Sequence, residues 1–168
     1  NVGLFLGNAV DGNINAIIFT TAATAVTLGA VQASRPAGSG VVNRILTACA
    51  LTATDPATTS AFVVGYRSDA KNEQDYAIGT ITANVISYGN EYKSNDMTTN
   101  IMAVERLTDT TFITGYGTTT GTVFVPCFVN GSVITTGTSV TVGLSSSYRI
   151  TQCITIRAID STRVHACN

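Results

Sequence analysis

Side chains able to do chemistry are few in this sequence, and they are widely spread. Its one histidine, His165, needs a nucleophile or an orienting carboxylate beside it to act as a catalyst. Asp160 and Ser161 are near in the chain but fall in a turn, so His165 reads as a structural or interface residue. The stretch Asp11-Gly12-Asn13-Ile14-Asn15 begins like a calcium loop, with oxygen-bearing side chains on alternate residues. An EF-type loop also requires a bidentate Glu at its twelfth position, and Ala22 stands there. A polar turn between two strands is the preferred reading.

Cys49, Cys127, Cys153 and Cys167 lie far apart with no CxxC pair among them, which removes the case for a local zinc knuckle. Two disulfides in any of three connectivities, or buried free thiols, satisfy the pattern equally. No GxSxG, HExxH, P-loop, dinucleotide-binding or paired-carboxylate pattern occurs. The expectation is a chain with no catalytic residue, no cofactor and no metal site.

Charge is densest in Arg67-Ser68-Asp69-Ala70-Lys71-Asn72-Glu73-Gln74-Asp75-Tyr76. Binding residues concentrate in loops held by a rigid scaffold, which makes Arg67, Asp69, Lys71, Asn72, Glu73, Asp75 and Tyr76 the candidate contact surface. A solvated insertion is the plainer alternative. Asn130-Gly131-Ser132 fits the glycosylation acceptor pattern, yet a hairpin turn already accounts for it.

The elements that position these residues must come from a chain of 168 residues, 45% hydrophobic and 11% charged. That balance favours a folded core, because disordered segments are charged and poor in apolar residues. A net charge of −1 supplies no field for a phosphate backbone, which speaks against nucleic-acid binding. Thr20, Thr21, Thr24 and Thr27 interrupt the apolar stretch Ala16–Val31, and no run is long enough for a membrane-spanning helix. Asn at position 1 points to a processed chain or a piece of a longer one, from which a signal peptide is already gone. Low charge with abundant Thr, Ser, Gly and Ala suits an extracellular or particle-surface protein.

Internal repetition organises the whole chain. Arg106-Leu107-Thr108-Asp109-Thr110-Thr111-Phe112-Ile113-Thr114-Gly115-Tyr116 aligns without a gap on Ala158-Ile159-Asp160-Ser161-Thr162-Arg163-Val164-His165-Ala166-Cys167-Asn168. Leu51 leads through a longer turn to Ala61-Phe62-Val63-Val64-Gly65-Tyr66, and Leu4-Phe5-Leu6-Gly7-Asn8 matches the end of that strand. Cys49, Glu105 and Arg157 then share one repeat position, where Glu105 and Arg157 are able to pair. A second landmark follows each of the first three copies: Ala25-Val26-Thr27-Leu28-Gly29, Val85-Ile86-Ser87-Tyr88-Gly89 and Val133-Ile134-Thr135-Thr136-Gly137. The units are therefore 1–40, 41–96, 97–150 and a partial 151–168. In the third, Asn100–Leu107, Thr111–Tyr116, Thr122–Val129 and Ser132–Thr136 read as strands, with Asn130-Gly131 as a type I′ turn.

Four antiparallel strands in about fifty residues is the arithmetic of a propeller blade. The Leu107–Tyr116 and Val133–Gly137 motifs, with their counterparts, resemble the degenerate propeller-type repeats of bacterial and viral surface and tail-associated proteins. The resemblance covers most of the chain and implies an all-β fold of propeller-like blades. A β-sandwich or jelly roll, with strands paired across unit boundaries, is the architectural rival. About three blades are too few for a ring, so several chains complete one, the chain belongs to a longer array, or the units stack openly. Each leaves strand edges that pair with copies of itself or neighbouring chains. The expected function is a non-enzymatic assembly module of a virion, filament or cell surface. The alternative is a propeller that binds a glycan or a surface receptor.

Overall fold

The computed structural model describes residues 2–8, 12–22, 24–35, 42–51, 60–68, 73–96, 102–118, 121–143 and 155–167. These residues form strands and turns and contain no helix. Strands β1 (Val2–Asn8), β2 (Ile14–Ala22) and β3 (Ala25–Ser34) make a first antiparallel sheet. The second contains β4 (Val42–Ala50), β5 (Ser60–Ser68), β6 (Glu73–Thr82) and β7 (Val85–Asp96). The third contains β8 (Met102–Thr108), β9 (Thr111–Gly117), β10 (Gly121–Asn130), β11 (Val133–Thr136) and β12 (Val140–Gly143). There β11 and β12 lie end to end along one side of β10. A last hairpin pairs β13 (Thr155–Ala158) with β14 (Val164–Cys167). Every described ladder stays inside one sequence unit, and no sheet is closed.

The repeated sequences fold in the same register. Cys49 pairs with Val63, Glu105 with Ile113, and Arg157 with His165, so the aligned positions are cross-strand neighbours in three sheets. The turn at the foot of these hairpins is also built alike. Thr108 Oγ1 accepts the Thr110 N–H at 3.3 Å, and Asp160 Oδ1 accepts the Thr162 N–H at 2.8 Å. A hydroxyl and a carboxylate thus cap equivalent turns, as Thr and Asp side chains readily do.

The closing glycine of the second landmark marks a β-bulge. Gly29 and Ala30 both stand opposite Ile18, and Gly89 and Asn90 both stand opposite Ile78. In the third sheet the ladder breaks between Thr136 and Val140, at Gly137. A Cβ on Gly29 falls 2.9 Å from the Ile18 carbonyl oxygen, and one on Gly137 falls 2.9 Å from Pro126 Cγ. Close approach of the opposing strand is what these bulges require, and glycine permits it.

One turn differs from the sequence expectation. Asn130 pairs with Val133, which leaves Gly131-Ser132 as the two-residue loop, with Gly131 at φ +60°. Positive φ at the first loop residue alone is the type II′ pattern, not type I′. The type I′ geometry occurs at the corresponding turn of the second sheet, where Ala83 and Asn84 have φ of 50° and 61°.

Period-two alternation sends the two faces of each sheet into different interfaces. Phe62, Val64, Tyr66, Ile81 and Ile86 of the second sheet pack on Ile14, Ala16 and Ile18 of the first. From its opposite face, Val63, Tyr76 and Ile78 pack on Val104, Phe112, Cys127 and Ile134 of the third. The third sheet's far face meets the last hairpin through Ala103, Ile113, Phe124, Ile156 and Val164. The second and third sheets therefore each have a leading face toward their predecessor and a trailing face toward their successor, and the same names are used for the first.

The strand β1 corrects the alignment of the first unit by one residue. Leu4 and Leu6 share a face with Ile18 and Ala16 and point at the following sheet. Phe62 and Val64, set against them in sequence, point at the preceding one. A slip of one residue inverts a strand's faces, and the run Leu4-Phe5-Leu6 is apolar in both phases, so its phase is illegible.

Candidate functional site

Polar side chains bridge neighbouring sheets at their margins. The first strands β4, β8 and β13 run side by side across sheet boundaries. Thr47 Oγ1 accepts the Val104 N–H at 3.3 Å, and Glu105 Oε1 accepts the Ala158 N–H at 3.2 Å. The Glu105 carboxylate is thus engaged with backbone beside Arg157, where the sequence suggests a side-chain ion pair. At the last strands of the first and second sheets, Gln32 of β3 donates to the Asn84 carbonyl at 2.8 Å and accepts from the Ile86 N–H of β7 at 3.0 Å. Tyr92 and Thr136 hydroxyls meet at 3.3 Å.

A buried cluster joins the second and third sheets. Gln74 Nε2 donates to Thr114 Oγ1 at 3.1 Å, and the Tyr76 hydroxyl lies 2.5 Å from the same oxygen. Burial pushes the Tyr76 phenol well above its ordinary range. Tyr66 donates to Glu91 Oε1 at 2.6 Å, and burial followed by that hydrogen bond raises its pKa too. Cys49 and Cys127 are free thiols, each pushed up to about 12, chiefly by burial. These groups stay protonated at neutral pH, and a protonated thiol is a poor nucleophile and metal ligand.

The charged segment Arg67–Tyr76 divides between strands. Arg67 lies near the end of β5, while Glu73, Asp75 and Tyr76 belong to β6. Asp75 and Tyr76 are buried, so a contact surface does not extend to them. As neighbours on one strand they point to opposite faces, and both are buried because the second sheet is covered on each face. Asp69, Lys71 and Asn72 lie outside the described residues.

His165 is exposed on β14, across from the exposed Arg157. Its repeat counterparts Val63 and Ile113 face a following sheet. Asp160 is occupied in its turn, with Oδ2 accepting Arg163 Nε at 2.6 Å. The Thr162 backbone N–H, the Thr162 hydroxyl and Arg163 hold its carboxyl below the usual range. Ile14 and Asn15 of the apparent calcium loop are paired in β2 with Asn8 and Gly7, and Asp11 lies outside the described residues. Among the described residues no group of three or more His, Cys, Asp or Glu side chains is placed to hold a metal ion.

The surface carries the less expected feature. Among the described residues nine large apolar side chains are exposed. Val26, Leu28 and Val31 lie on the leading face of the first sheet, opposite Thr21, Phe19 and Ile17. Phe128, Val133, Val140 and Val142 lie on the trailing face of the third, outside the area under the last hairpin. Seven of the nine thus belong to two end faces, which makes those faces the candidate site. Compared with known proteins, the chain matches no family model, no curated protein and no solved structure.

Proposed function

We propose that this chain is a non-enzymatic structural module of an extracellular or particle surface, a component of a virion, filament or cell surface that works by assembly. One observation carries the reading. Val26, Ile86 and Ile134 hold the same repeat position on the leading faces of three sheets. Where a sheet precedes, the side chain is covered, 6% exposed for Ile86 and 5% for Ile134; where no described sheet precedes, Val26 is 61% exposed. An interface repeated along the chain is left uncovered on the first of the described sheets. Propeller-like blades arranged radially, completed by neighbouring chains, fit sheets joined at both their first and last strands.

Native mass spectrometry and light scattering at micromolar concentration test the reading. A concentration-dependent series of oligomers is expected. A single species of 17.4 kDa overturns it.

A further inference from the structure

Two open faces of opposite kind stand at the two ends of the stack. The leading face of the first sheet presents Ile17, Phe19, Val26, Leu28 and Val31. The trailing face of the third sheet presents Pro126, Phe128, Val133, Val140 and Val142. None of these ten side chains is charged. The last hairpin covers only the part of the trailing face nearest β8, through Ile156 and Val164 on Ala103, Ile113 and Phe124. Its own outer face, with Thr155, Arg157 and His165, is polar.

We propose that the occupant of the leading face is a second copy of this chain, whose outer trailing face of the third sheet docks on it head to tail. The proposal rests on the assembly reading and names its surfaces. Inside one chain, the leading faces of the second and third sheets are each covered by the trailing face of the sheet before, through apolar side chains at the repeat positions left bare in the first. The contact between copies continues that internal interface. Both halves of it are present on every chain, and the absence of charge removes the complementarity that an acidic or basic partner requires. A polar hairpin beside the apolar patch confines the contact to the outer strands β10, β11 and β12. Because the two patches differ, the contact is heterologous and propagates from copy to copy, into a ring if its rotation closes and a filament if it does not.

The test uses the full 168-residue chain in two variants, Val26→Asp/Leu28→Asp on the leading face and Val140→Asp/Val142→Asp on the trailing face. All four residues are exposed, and circular dichroism verifies that each variant keeps its strand signal. Threonine substitutions at the same positions replace any variant that fails this check. The wild type is expected to form oligomers above a mass of two chains. Each variant alone is expected to be monomeric, and an equimolar mixture to give a 1:1 dimer, because each retains the face the other has lost.

Oligomers undiminished in both variants overturn the head-to-tail contact while leaving the assembly reading intact. Loss of assembly in the leading-face variant only, with a dimer of the trailing-face variant, means a symmetric contact and likewise overturns it. A monomeric wild type removes both.

Discussion

Ile86→Ala, compared with Val26→Ala, isolates what a neighbouring sheet does for one repeat position. Ile86 is packed among Phe62, Ile81 and the first-sheet residues Ile14, Ala16 and Ile18, and its backbone N–H is held by Gln32. Truncation removes three buried carbons, worth about 2.4 kcal/mol at ~0.8 kcal/mol each. The cavity left in a two-sheet interface raises the cost to about 3 kcal/mol. For a chain of this size that corresponds to a fall in Tm of about 6–12 °C. Val26 already faces water, and its truncation is expected to change the stability of the single chain by no more than about 0.5 kcal/mol. Urea unfolding followed by circular dichroism, at a concentration where the chain is monomeric, measures both. Equal costs for the two variants, or less than about 1 kcal/mol for Ile86→Ala, refute the claim that face-on stacking of sheets stabilises the fold.

Thr114→Val keeps the side-chain shape but strands the Gln74 amide and the Tyr76 hydroxyl in the interior. A loss of about 2–4 kcal/mol is expected by chemical denaturation, against about 1 kcal/mol for Tyr76→Phe, which leaves Gln74 bonded to Thr114. Gly29→Ala should destabilise by about 1–3 kcal/mol, because its Cβ meets the Ile18 carbonyl at 2.9 Å; Gly89→Ala, with 3.6 Å to the Ile78 carbonyl, should cost less in the same thermal melts. Cys49 and Cys127 should resist alkylation in the native state and react on unfolding, a difference read by mass spectrometry. Their native pKa values lie above the ordinary 9.0, so the folded state holds protons that the unfolded state releases. Their contribution to stability is full below pH 9 and is lost as pH rises toward 12, and Tyr66 and Tyr76 act in the same direction. A Tm that rises between pH 9 and 11 contradicts this assignment.

Much of the fold was legible because strands and turns are local. The gap-free match of 106–116 on 158–168 became two hairpins in the same register, Glu105 on Ile113 and Arg157 on His165. The recurrent glycines at 29 and 89 proved to be bulge positions, and that at 137 a break between two strands, each demanded by the strand directly opposite. Where alternation gave no phase, as in Leu4-Phe5-Leu6, the alignment missed by one residue. Asp75 and Tyr76 of the candidate contact segment are buried because the second sheet is covered on both faces, which a charge-rich run does not reveal. The Gln74–Tyr76–Thr114 cluster carried no sequence signal, since its members come from different sheets and residues 40 apart.

The amino-acid sequence by itself determined an all-β chain and most of the places where its strands turn. Those depend on β-favouring residues, on capping side chains and on glycines, each acting within one hairpin. Only the tertiary structure decided which faces are covered. Val26 and Ile86 have the same setting along the chain, yet one is bare and the other enclosed, because burial depends on whether another sheet lies above. That is a property of distant segments meeting, and no local pattern encodes it.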